Sequence, residues 1–153
     1  MVRVVLLSSS LALVSACGPE FEPRDGHWAF AEGQRLEDSC GLITGMLASD
    51  FSLVANGDGT ITLDADNTNG SFECDLSGKE FECPEHQVRA MSGEAKLDIW
   101  LRFSGTFSSE TEASGRRDAE VTCDGAECAG LAALARAKFP CAVAMEFTAS
   151  LVQ

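Results

Sequence analysis

Apolar residues recur at every second position through most of this chain, and a period of two is that of a β-strand with one face buried. Leu97, Ile99, Leu101, Phe103, Gly105 and Phe107 alternate with Lys96, Asp98, Trp100, Arg102 and Ser104. Trp28 and Phe30 share a phase, as do Phe51, Leu53 and Ala55, and then Ile61, Leu63 and Ala65. Ala119, Val121 and Cys123 form a shorter run after the polar residues 108–115, which read as a turn. The final run is Cys141, Val143, Met145, Phe147, Ala149 and Leu151. Residues 128–138 break the pattern: they are rich in Ala and Leu, lack β-branched residues and stop before Pro140, which predicts a helix of about three turns. Residues 36–48 fit neither period, because Gly41, Thr44 and Gly45 interrupt both.

Two turns fix strand register. A three-residue loop Gly57-Asp58-Gly59 places Leu53 opposite Leu63 and Ala55 opposite Ile61, with Gly59 free for a left-handed bulge position. A two-residue turn at Gly78-Lys79 has glycine where a type II′ turn requires it. Leu76 then faces Phe81, and Cys74 faces Cys83 in a non-hydrogen-bonded pair. Such pairs bring Cα atoms to about 4.5 Å, inside the range of a disulfide.

The N-terminus has the three parts of an export signal: Arg3, an apolar segment over Val4–Ala12, and small residues before Cys17. Residues 4–16 are too few to span a bilayer, which takes about 20 apolar residues. Val14-Ser15-Ala16-Cys17 resembles the lipobox of bacterial lipoproteins, with Val where Leu is commoner. The resemblance implies that residues 1–16 are removed and that Cys17 carries a diacylglycerol on sulfur and a further acyl chain on its amine. Two or three chains make membrane release negligible. Gly18, in place of the Asp that retains such proteins at the inner membrane, favours the outer membrane. On this reading residues 17–25 are a lipidated tether, and residues 26–153 are one β-domain of the bacterial envelope.

With Cys17 assigned to lipid, six cysteines remain, an even set in an oxidising compartment. Besides Cys74–Cys83, a helix over 128–138 would hold Cys128 more than about 12 Å from Cys141, beyond disulfide reach. That favours Cys123–Cys128 and leaves Cys40 for Cys141.

Removing residues 1–16 takes one of 11 basic residues and none of 24 acidic ones, so the mature balance is 10 − 24 = −14. A charge of that sign argues against nucleic acid and anionic head groups as docking partners. The bland reading is solubility. The sharper one is a basic partner protein or a cationic ligand.

A meander of roughly eight strands with one apolar face each must close into a barrel or stack as a sandwich. Gly26-x-Trp28 at its start and a helix before its last strand resemble a lipocalin. The family's Thr-Asp-Tyr motif is missing, since the chain has no tyrosine, and no arginine stands in the final strand. What the resemblance implies is a barrel fold, a packing role for Trp28 and a small apolar ligand.

Other motifs are better read as structure. Cys83-x-x-His86 with Cys74 would make a metal corner, but the disulfide accounts for both cysteines. The stretch Asp64-x-Asp66-x-Thr68-Asn69-Gly70 is similar to a calcium loop, yet its glycine falls at the seventh position and its twelfth is Asp75, inside a predicted strand. It reads as a polar inter-strand loop. No catalytic, cofactor-binding or metal-ligating residue is assigned. Trp100, on the polar face of the longest strand, is the one residue that suggests a partner surface. Three functions follow: a non-enzymatic envelope lipoprotein that binds another envelope protein or serves a structural role, a carrier of a small apolar ligand, and an enzyme of unknown class. A carrier requires an open cavity with small inward residues. A barrel crowded by Phe51, Phe103, Phe107 and Phe147 favours the first.

Overall fold

The computed structural model describes residues 21–46, 49–65 and 70–152. Eight strands follow in chain order: β1 (Gly26–Asp38), β2 (Phe51–Ala55), β3 (Thr60–Ala65), β4 (Ser71–Ser77), β5 (Glu80–Ser92), β6 (Ala95–Ser109), β7 (Glu112–Asp124) and β8 (Cys141–Leu151). Each pairs antiparallel with the next, and β8 returns to β1, so the sheet closes into an eight-stranded barrel. Closure leaves no free sheet edge where the ladders are complete. A 3₁₀ helix (Gly41–Met46) follows β1, and one α-helix among the described residues, α1 (Cys128–Ala135), precedes β8.

Both hairpin registers match the turn arithmetic. Leu53 lies opposite Leu63 and Ala55 opposite Ile61, while Leu76 lies opposite Phe81. Gly59 takes φ +83° and Gly78 φ +60°, conformations that side chains strain to adopt. The three disulfides are Cys40–Cys141, Cys74–Cys83 and Cys123–Cys128. Cys74 and Cys83 sit 4.0 Å apart at Cα on the inner face. Pro84, which has no N–H for the ladder, falls in a register shift between Cys83 and His86.

Three expectations are corrected. Residues 108–115 do not form a turn: β6 runs to Ser109, β7 starts at Glu112, and only Glu110 and Thr111 make the reversal. The inward phase continues there through Ala113, Gly115 and Arg117, residues too small or too polar to announce a strand. The α-helix spans eight residues rather than 11. It ends where Arg136 turns left-handed at φ 55° and the Ala137 N–H donates to the Ala132 carbonyl at 3.0 Å. Proline at 140 disfavours helical backbone just before it, and the chain must be extended by Cys141 to join the barrel.

Residues 21–25, assigned to the tether, dock across one end of the barrel. The Phe21 ring packs 5.7 Å from Phe107, the Arg24 N–H donates to the Glu110 carbonyl at 2.9 Å, and Asp25 Oδ1 accepts from the Ala55 N–H at 2.7 Å. Trp28 is fully buried just inside this end. Its indole N–H donates to the Arg24 carbonyl at 3.2 Å, and its ring meets Phe51 and Phe107. This is a packing role.

The opposite end is closed by the 3₁₀ helix and α1. Asp38 Oδ1 accepts from the Cys40 and Gly41 N–H groups and from the Thr44 hydroxyl at 2.7 Å, which starts the 3₁₀ turn. Cys40–Cys141 ties that turn to the start of β8, and Cys123–Cys128 ties the end of β7 to α1. Cys40, Ile43, Leu101, Val121 and Val143 fill the barrel beneath.

Candidate functional site

A row across β5, β6, β7 and β8 sets the shape of the barrel interior. Phe81 pairs with Gly105, Gly105 with Gly115, and Gly115 with Phe147. A Cβ on Gly105 would meet the Ser114 carbonyl oxygen first and lie 2.7 Å from the Phe81 ring, and one on Gly115 would meet the Ser104 carbonyl oxygen first and lie 2.9 Å from the Phe147 ring. Two adjacent glycines on the inner face therefore hold space for two aromatic rings that lean over them. Further rings follow. Phe72 meets Phe103 edge-on at 5.1 Å, Phe103 meets Phe147 at 6.3 Å, and Phe147 stacks on Phe30 at 5.2 Å.

These rings enclose a cavity of about 40 Å³. One water needs about 10–15 Å³, so the space holds a few small groups rather than none. Its floor is Phe81 and Phe107 at the end where residues 21–25 dock, and its lining reaches Ser49, Phe51 and Ala65 at the far ends of the short strands β2 and β3. Phe30, Phe51 and Phe103 point inward yet are only half-buried, so this face of the cavity meets solvent. β2 pairs with β1 only over Gly26–Trp28, and above it the rest of β1 pairs with β8 alone. The wall is low on that side.

Among the described residues, one ionisable group lines the cavity. Arg117, on the inner face of β7 between Phe103 and Met145, is fully buried. One terminal nitrogen, Nη2, donates to the Met145 sulfur at 2.8 Å, and the guanidinium carbon stands 5.5 Å from the centre of the Phe30 ring. Its Nε and Nη1 have no hydrogen-bond partner. They carry three of the five guanidinium N–H donors, and thioether sulfur is a weak acceptor for a fourth. Burial lowers the Arg117 pKa, Glu32 acts to raise it and Arg35 adds to the lowering. A guanidinium nonetheless stays protonated in any folded protein. The cavity is thus an aromatic box with one positive charge inside.

The other residues singled out in the sequence lie elsewhere. The six paired cysteines are structural, and Cys74 and Cys83, joined to each other, have no thiolate to offer a metal. Among the described residues no group of three or more His, Cys, Asp or Glu side chains is placed to hold a metal ion. His86 packs its ring 4.7 Å from Phe72, and His27 lies 3.9 Å from the Asp50 carboxylate. The stretch from Asp64 to Gly70 has residues 66–69 outside the described residues, as is Cys17. Trp100 is half-buried on the outer wall, between Gln87 of β5 and Glu120 of β7, away from the cavity. Compared with protein-family models, with curated proteins and with solved structures, the chain matches none.

Arg117 was legible in one respect. Ala113, Gly115, Arg117, Ala119 and Val121 share a phase, so an arginine stands where the period demands an inward residue.

Proposed function

We propose that this chain is a lipid-anchored lipoprotein of the bacterial envelope, held by acyl chains on Cys17, with a barrel that acts as a non-enzymatic binding or structural module. The observation that carries the reading is the cysteine inventory. Six of the seven pair within the barrel, two joining strand ends to its cap. Disulfides persist in an oxidising compartment, which an export signal would reach. The cysteine left over is the one that closes the lipobox-like Val14-Ser15-Ala16-Cys17.

The crowded interior supports a module that holds something over one that transforms it. Phe51, Phe103, Phe107 and Phe147 all line the cavity, and among the described residues the one charged group in its lining is Arg117. Trp100 stays the outer-wall candidate for a partner protein. A second reading, a carrier of a small apolar ligand, is favoured by the half-buried inner rings of Phe30, Phe51 and Phe103.

Fractionation of cells tests the anchor. The protein sediments with membranes, with the outer membrane enriched over the inner, and a Cys17→Ser variant is released on lysis. A variant that still sediments with membranes contradicts the proposal.

A further inference from the structure

The barrel interior contains a charge that the protein itself does not neutralise. A buried ion without a counter-ion is among the costliest features a fold can hold, and natural proteins pair such groups or bind something to them. Around Arg117 stand Phe30, Phe103 and Met145, and none of them is an anion. Glu32 is close enough to act on the guanidinium only through space, and Arg35 opposes it. The cation–π contact with Phe30 offsets only part of the cost. The three N–H donors on Nε and Nη1 remain unused, on a side chain that helps to line a cavity otherwise apolar except for Ser49.

We infer that this cavity is a binding site for a small apolar carboxylate, with its carboxylate on the Arg117 guanidinium and its apolar body against the phenylalanine walls. Each half of the site fits one half of such a ligand. The guanidinium supplies charge-assisted donors in a place shielded from water, where an ionic hydrogen bond is strongest. The walls supply aromatic surface, and the opening beside Ser49 and Ala65 supplies entry past Phe30, Phe51 and Phe103, whose rings keep some exposure. The limited room favours a compact or short-chain acid over a long one. An uncharged analogue leaves the three donors unpaired. A strongly polar anion without an apolar part would gain nothing from the walls.

This inference rests on the reading of the barrel as a non-enzymatic binding module and gives that module a ligand class. The test uses the protein extracted from membranes into phosphatidylcholine nanodiscs, with empty nanodiscs as blank, titrated with propionate and, separately, with 1-propanol. Hydrogen bonds to a charged group set the scale of discrimination at about tenfold to a hundredfold. Propionate is expected to bind at least tenfold more tightly than propanol, and an Arg117→Met variant to bind both equally. Equal affinities in the parent protein, no binding of either compound, or a propionate preference that survives in Arg117→Met would each overturn the site. The comparison within the parent protein stands even if the variant fails to fold. Propionate recovered chemically altered would keep the site and refute the non-enzymatic reading. Loss of the preference beside a membrane-released Cys17→Ser protein would refute the site and keep the anchor.

Discussion

Removing the long-range disulfide should cost this protein more than removing the hairpin disulfide, although the two bridges are equally buried. Cys40 and Cys141 are 0% and 2% exposed, and Cys74 and Cys83 are also 0% and 2% exposed. Replacing either pair by alanine therefore leaves similar voids, and the difference between the two double variants isolates the loop each bridge closes. Cys40–Cys141 spans 101 residues and Cys74–Cys83 spans nine. In the chain-entropy description the first contributes about 4.7 kcal/mol and the second about 2.7 kcal/mol, a gap of about 2 kcal/mol. Domains of this size are stable by only about 5–15 kcal/mol, so the Cys40→Ala/Cys141→Ala protein should keep a fraction of the parent's stability. Urea unfolding followed by circular dichroism, without reductant, gives both values. With a slope of about 2 kcal/mol per molar, the long-range variant should unfold about 1 M earlier than the hairpin variant. Equal midpoints, or an earlier midpoint for Cys74→Ala/Cys83→Ala, would refute the claim that Cys40–Cys141 works by tying the two ends of the chain together.

Two further outcomes follow from single sites. Gly105→Ala and Gly115→Ala each push a methyl group against a backbone carbonyl of the neighbouring strand, Ser114 and Ser104 respectively, and into a phenylalanine ring, and should destabilise the barrel by about 1–3 kcal/mol, read as a drop in the urea midpoint; a neutral result would show that the β6–β7 backbone yields as well as the Phe81 and Phe147 rings. The Asp58 carboxyl is held below the usual carboxylate range, chiefly by the Thr60 hydroxyl. Its contribution is therefore present above the unfolded-state pKa and lost as pH falls through the lower folded value. Asp58→Asn should flatten that part of the acid limb of the stability curve, and an unchanged limb would contradict the assignment.

How far the sequence reached depended on whether local parity or distant convergence decided a feature. The hairpins at Gly59 and Gly78 were legible because loop length and a glycine of positive φ settle the register between near neighbours. The two remaining disulfides were legible by elimination, once a helix after Cys128 separated it from Cys141. Residues 108–115 misled because Ala113, Gly115 and Arg117 occupy inward positions without a bulky apolar side chain, so the period was present but muted. The second half of β1 was silent for another reason. Residues 31–38 are exposed on both faces, so no alternation exists there to be seen. The cavity was the least legible feature. Phe30, Phe103 and Phe147 come from three strands far apart in the chain, and nothing local states that their rings surround Arg117.

Trp28 and residues 21–25 also alter the picture of the anchor. If Cys17 carries lipid, four residue steps separate it from Phe21, which packs on the end of the barrel. Four extended steps span at most about 14 Å, so a lipid on Cys17 would hold the Phe21 end of the barrel near the membrane.

The measurement that bears most directly on the central claim is intact and peptide-level mass spectrometry of the protein extracted from bacterial membranes. The predicted N-terminal peptide begins at Cys17, carries the mass of a diacylglycerol with or without a third acyl chain, and is accompanied by no peptide from residues 1–16. An N-terminal peptide that begins elsewhere, or one in which Cys17 is a free thiol or a disulfide partner, would contradict it.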